Sequence, residues 1–233
     1  MLKRIPIVLV VLFALSLPIW GQSERITDVG AIVEAKASAA MGDTELEVEE
    51  ELRFASYDGF HLDRWLTSLT LERPVPFPWL GKRLHVGIHA DYVRHYDDHH
   101  YYDNRWRTGL FASYYENVRR FKFSYRTRVM LTYRDERTGD YRVNPKWCWR
   151  NKLQAVYQRP NSRFKYTLST ECFMRLRAQA RESFIDQWRT TFAVNYRLTR
   201  QQSISVFVRM DNDLQVKKPF DTFYLGLSYN HSF

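Results

Sequence analysis

Beyond its first twenty residues this chain has no apolar run that could form a transmembrane helix, which takes about 20 predominantly apolar residues in succession. It has no Gly-x-Ser-x-Gly nucleophile elbow, so nothing in the sequence marks a hydrolase of that type. Its Lys and Arg outnumber Asp and Glu, 35 to 26, but are not gathered into one basic tract. Dispersed charge steers weakly compared with a concentrated patch, and no nucleic-acid partner is expected. Only two cysteines are present, neither near the N-terminal segment, so a lipid-anchored N-terminus is not expected either.

What is present points to export. Lys3 and Arg4 precede an apolar stretch from Ile5 to Leu17, and Pro18-Ile19-Trp20-Gly21 offers a cleavage segment. A positive region, a short apolar region and a cut together read as a signal peptide over 1–21, with one mature domain over 22–233. Loss of Lys3 and Arg4 takes two charges off the formal +9 and leaves +7. Fifteen Tyr, fifteen Phe and seven Trp make the chain too aromatic for disorder, and flat side chains suit the pleated surface of a strand.

From about Asp28 onward apolar and polar residues alternate with period two, the strand period. In Phe121–Tyr133 the odd positions are mostly aromatic or aliphatic, while Lys122, Ser124, Arg126, Arg128 and Thr132 occupy even ones. Trp188–Leu198 and Thr44–Phe54 repeat the design. Eleven such segments, from 28–40 to 222–233, are mostly long enough for tilted strands that cross a bilayer, about 9–11 residues each. Short turns are expected at Gly42-Asp43, Asn117-Val118, Pro160-Asn161 and Arg200-Gln201. Longer links fall at 94–104, 135–145, 176–183 and 212–221. The three-proline link 74–82 is long where the pattern asks for a short turn. Bacterial barrels usually have an even strand number, so ten or twelve strands are expected from these eleven segments.

A turn at Pro160-Asn161 predicts Trp147 opposite Met174 and Leu153 opposite Leu168 on one face, with Arg150 opposite Glu171 on the other. A turn at Asn117-Val118 predicts Tyr114 opposite Phe121 and Leu110 opposite Tyr125. A one-residue slip would mix the faces, which selects the parity of each pairing. Cys148 then falls on the polar face and Cys172 on the apolar one, so two free thiols are expected.

Alternation is compatible with an apolar face turned inward, around a small ligand in a soluble periplasmic barrel, or outward toward lipid. Trp106, Trp147, Tyr133, Tyr157 and Tyr196 lie near strand ends, as interfacial girdles require, and favour lipid. The C-terminal strand ends on Phe233 and carries Tyr229 and Leu227 at alternating positions, resembling the signal read by the barrel-assembly machinery; His231 interrupts it. Glu50 opposes this orientation, because it lies on the apolar face between Val48 and Leu52.

The stretch Glu47–Phe54, then Trp149-Arg150-Asn151-Lys152-Leu153, Glu171 and Arg189–Leu198 resemble the "domain of unknown function 2490" family. The resemblance implies an exported protein with predicted barrel strands and brings no activity with it.

On the polar face Glu45, Glu47, Glu49 and Glu51 form an acidic row followed by Arg53. Arg126, Arg128, Arg150, Arg189, Arg197 and Arg209 are spread over later strands, with Glu171 among them. Ionised carboxylates in a narrow interior need partners, and guanidinium groups can bind them bidentately. A lumen filled by this charge network is therefore expected. His95-Tyr96-Asp97-Asp98-His99-His100 offers metal-ligand types, but in an outer loop such residues need no metal, and none is assigned. His85, His89 and Asp91 share one strand face without a recognisable nucleophile. The expectation is an all-β, antiparallel up-and-down transmembrane barrel of about 10–12 strands in the outer membrane. No catalytic residue, cofactor or metal is assigned, and its partners are membrane lipid and the assembly machinery. A lipid hydrolase is the enzymatic alternative.

Overall fold

A computed structural model describes residues 26–57, 59–96, 101–135, 144–176, 184–214 and 220–233. The proposed signal peptide, and Asp97, Asp98, His99 and His100 of the histidine-rich loop, lie outside the described residues. All eleven alternating segments are strands: β1 (Ile26–Met41), β2 (Thr44–Ala55), β3 (His61–Phe77), β4 (Gly81–Tyr96), β5 (Tyr102–Val118), β6 (Phe121–Arg134), β7 (Lys146–Gln158), β8 (Phe164–Arg175), β9 (Ile185–Arg197), β10 (Gln202–Asp213) and β11 (Phe220–Ser232). Each pairs with its chain neighbours, and β1 pairs with β11 to close a barrel.

The parity expectation of ten or twelve is overturned. Eleven up-and-down strands leave the first and last running in the same direction, so the closing pair is parallel, from Ile26 opposite Phe220 to Ser38 opposite Ser232. No segment drops out and no twelfth strand forms among the described residues; Ile26 and Thr27 simply lengthen β1. An odd count also places Ile26 at the long-loop rim and Phe233 at the short-turn rim.

Two hairpin registers differ from expectation, both by an even number of residues. The β5–β6 turn is Arg119-Arg120, with Arg119 at φ 56°, so Tyr114 faces Tyr125 and Leu110 faces Val129. The β7–β8 turn runs from 159 to 163, so Trp149 faces Met174 and Lys152 faces Glu171. Even slips keep every residue on its face, which is why the face assignments survive. The three-proline link shrinks to a short turn because β3 runs on through Pro74 and Pro76. Pairing is interrupted between Val75 and Phe77, where a residue without an N–H is tolerated.

The outer wall is apolar. Val29, Val33, Leu69, Ile88, Leu110, Val129, Leu168, Val206 and Leu225 are among its exposed aliphatic residues. Aromatic belts flank them. Toward the long loops Trp106 contacts Tyr92 and Tyr133, with ring centroids 5.9 and 6.2 Å apart. Toward the short turns Tyr157 contacts Phe121 and Tyr166, and Phe164 contacts Tyr196. Along β6, from Tyr133 to Phe121, a strand tilted by about 40° rises roughly 30 Å, comparable to a bilayer's hydrocarbon core.

Glu50 does face outward, but its carboxylate is partnered. It accepts hydrogen bonds from the Trp65 indole at 2.8 Å and from the Thr67 hydroxyl at 2.9 Å. Two donors on the neighbouring strand thus offset an otherwise unfavourable position.

Candidate functional site in the barrel lumen

Inward side chains are the even-numbered residues of β1 and the odd-numbered ones of most of β2, a consequence of Glu34 standing opposite Glu51. The same parity brings charge-bearing residues from the other strands into one interior. A cavity of about 460 Å³ remains there. Its wall extends from Arg134, Lys146 and Asp186 near the long loops to Gln154, Asn195 and Asn230 nearer the short turns.

The strongest ion-pair network bridges the parallel seam. Glu51, 5% exposed, accepts from Arg53 at 2.8 Å and from Arg209 at 2.9 Å. Arg209 also reaches Glu34 at 2.8 Å, and Arg53 lies 3.5 Å from Asp211. Asp211 in turn accepts from Arg189 through both oxygens, at 2.7 and 2.6 Å. Lys36 completes the group with Glu34 at 3.3 Å and Glu49 at 3.2 Å. The network runs from β1 and β2 to β9 and β10, over β11, whose inward residues at this level are Gly226 and Ser228. It links the two sides of the only parallel pairing among the described strands.

The carboxylates of Glu34, Glu49 and Glu51 bring oxygens within 4.8 Å of one another. Lys36, Arg53 and Arg209 pair with them, which accounts for their close approach.

Aromatic residues separate the arginines from the wall. Phe207, Tyr224 and Phe111 stand opposite Gly226, Gly30 and Gly87 on adjacent strands. At each glycine an added Cβ would fall 2.6 Å or less from the ring. Arg209 covers Phe207 at 5.1 Å, Arg53 covers Tyr224 at 4.9 Å, and Arg126 covers Phe111 at 4.7 Å. Glycine, ring and guanidinium therefore form three repeated stacks, each combining close approach with a cation–π contact.

Three smaller networks occupy other sectors. Arg150 donates to both oxygens of Glu171, at 3.0 and 3.1 Å. The register expected from the sequence put these two directly opposite; they meet diagonally instead. Arg126 binds Glu72 at 2.7 Å and the Ser113 hydroxyl at 2.9 Å, while Tyr115 donates to the same Glu72. On β3 and β4, Thr70 Oγ1 lies 2.9 Å from His89 Nδ1, and His89 Nε2 lies 2.7 Å from Asp91. This hydroxyl–imidazole–carboxylate chain is buried in the lumen. His85 joins Glu72 at 3.3 Å, and His95 turns inward to Arg105 at 2.8 Å.

Of the charged residues singled out from the sequence, Glu49, Glu51, Arg53, Arg126, Arg150, Glu171, Arg189 and Arg209 are brought into ion pairs. Glu47 and Arg128 line the cavity without one. Glu45 and Arg197 are exposed at the short-turn end, and neither joins the network. The row from Glu45 to Glu51 thus divides by depth: its inner members meet cations and its outermost meets solvent. Leu227, Tyr229 and Phe233 are on the outer surface, with the Phe233 amide bonded to the Ser38 carbonyl. Sequence alternation alone did not single out Glu34, Lys36, Arg64 or Asp211. Their inward parity was the available signal, but their partners come from strands far away in sequence. Cys148 lines the lumen and Cys172 lies on the opposite face, both as free thiols.

A closed, eleven-stranded barrel, without a helix among the described residues, with an apolar exterior and an ion-paired interior, defines the class of this protein. Within that class the chain belongs to the family described as "protein of unknown function (DUF2490)", whose model matches residues 31–218. Among curated proteins none matches the chain.

Proposed function

We propose that the protein is an outer-membrane β-barrel, exported through a cleavable signal peptide, that acts as a structural or interaction component rather than a wide pore or an enzyme. The observation that carries this reading is the inversion of a soluble fold: aliphatic residues between two aromatic belts cover the outside, while the charged groups are inside. Strands of 12 to 17 residues exceed the span a tilted transmembrane strand needs. The partners are membrane lipid and the assembly machinery that receives Leu227, Tyr229 and Phe233, with the long-loop rim as the contact surface for further partners.

Closed membrane barrels resist detergent until heated. The mature protein from an outer-membrane fraction is expected to run faster unheated than boiled. A soluble periplasmic form with one mobility would show that membrane insertion is not its role. In planar bilayers no stable large single-channel conductance is expected, because ion pairs and stacked arginines occupy the lumen. A steady conductance of porin size would replace the filled-lumen reading by a transport role.

The hydrolase alternative has one observation in its favour, the Thr70–His89–Asp91 chain. It faces the lumen, away from the acyl chains a lipid hydrolase must reach. Phospholipid turnover by the folded barrel that disappears in His89→Ala would establish the enzyme instead.

A further inference from the structure

Among the described residues, the cavity wall does not balance its own charge. Twelve Lys and Arg line the cavity against seven Asp and Glu. Glu72 and Asp211, outside its wall, bind Arg126 and Arg189; Asp63 and Asp213 also lie outside it, within electrostatic reach of Arg64. Four of these cations, Lys152 on β7 and three arginines on β3, β5 and β6, have no ion pair among the described residues. Arg64, Arg107 and Arg128 line the cavity, yet none has a carboxylate within ion-pair distance among the described residues. Arg107 is within electrostatic reach of Arg64 and Arg150, and Arg128 of Arg150 and Arg126.

For Arg107 and Arg128 the missing pairings have an identifiable cause, because the nearby carboxylates are already engaged. Asp91 stands directly opposite Arg107 across β4 and β5 but is turned to His89 at 2.7 Å. Glu171, near Arg128, is gripped by both arms of Arg150. Arg64 is within electrostatic reach of Asp63 and Glu51, and Glu51 is held by Arg53 and Arg209. Arg128 rests on the Phe111 ring at 5.4 Å, a contact that orients its guanidinium without neutralising it. Unpaired like charges in a confined interior are unfavourable unless an anion joins them. A planar fork of donors fits a tetrahedral oxyanion, and 460 Å³ lies within the ~300–1,000 Å³ range of small-ligand sites.

We propose that Arg107 and Arg128, supported by Arg64, form a binding site inside the barrel for a small phosphate-class oxyanion. Hydroxyls of Ser68 and Thr132 share the cavity wall and can contribute further donors. The ligand is a free solute and not a lipid headgroup, since these arginines face the lumen and the strand wall excludes acyl chains. The proposal rests on the charged, closed lumen; gel mobility and conductance test that reading, while anion titration tests the site.

The experiment is calorimetric titration of the folded barrel, in non-ionic detergent, with inorganic phosphate, using chloride at matched ionic strength as the comparison. Saturable phosphate binding is expected, weakened about tenfold or more in Arg107→Gln and Arg128→Gln, as for loss of a charge-assisted hydrogen bond. Arg128→Lys should retain part of it. A second readout separates binding from folding. Without phosphate, both Gln variants are expected to keep the compact unheated band to at least the wild-type temperature, because each removes an uncompensated charge. Phosphate should raise that temperature for wild type and not for the double variant. Absence of saturable heat in wild type, equal response to chloride, or undiminished binding in the double variant would each overturn the site.

Discussion

Glu51→Gln is expected to destabilise the folded barrel by about 3–5 kcal/mol, the range for removing one partner of a buried ion pair. The amide is nearly isosteric, so the effect isolates charge from volume. Glu51 is the carboxylate shared by Arg53 and Arg209, and the other carboxylates in ion-pair contact with these two arginines are themselves shared. Asp211 is already bound through both oxygens by Arg189, and Glu34 is shared between Lys36 and Arg209. Neutralising Glu51 therefore leaves two buried guanidinium groups short of a counter-charge at the seam where β1 meets β11. Urea unfolding in lipid vesicles measures the loss, and the temperature at which the compact band disappears gives an independent reading. A change below about 0.5 kcal/mol, the scale of an ordinary surface substitution, would show that the seam does not depend on this network. Glu45→Gln supplies the contrast: its exposed carboxylate at the short-turn rim should matter little.

Gly226→Val is expected to abolish folding to a compact heat-modifiable form, or to leave only a minor fraction of it. A Cβ at this position would lie 2.1 Å from Phe207 Cζ, far inside van der Waals contact. Phe207 is 5% exposed and lies beneath Arg209 at 5.1 Å, so the ring cannot move without disturbing the cation that binds Glu34 and Glu51. Overpacking a well-packed interior typically costs about 1–3 kcal/mol, and here loss of the cation–π stack and ion pairs adds to it. The combined variant Gly226→Val, Phe207→Ala should recover compact barrel, since it gives the new methyl groups the space of the ring. Normal folding of Gly226→Val alone would show that the ring does not lie against this glycine.

Both substitutions act where distant parts of the chain meet, and this marks the boundary of what alternation could reveal. Period two is local, so the eleven segments, their apolar and polar faces, the outward Trp106 and Tyr133 and the opposed Cys148 and Cys172 were all legible in the sequence. Hairpin registers were legible only in parity. The slips at Arg119-Arg120 and at 159–163 move partners by whole pairs, and an even displacement leaves the facial pattern unchanged.

The linear sequence by itself determined that this protein is an all-β barrel former with one apolar and one charged face, because side-chain direction in a strand depends only on position along it. The tertiary structure alone decided that closure occurs at eleven strands through a parallel pair, for that depends on how the sheet's two edges meet. It also decided which charges neutralise one another. Arg209 reaches Glu51 and Glu34 across sequence separations of 158 and 175 residues, and Arg107 has no ion pair among the described residues because Asp91 turns to His89. A row of alternating residues specifies which charges face inward, whereas the curvature and closure of the sheet set the distances between them, and coulombic attraction at those distances selects the partners.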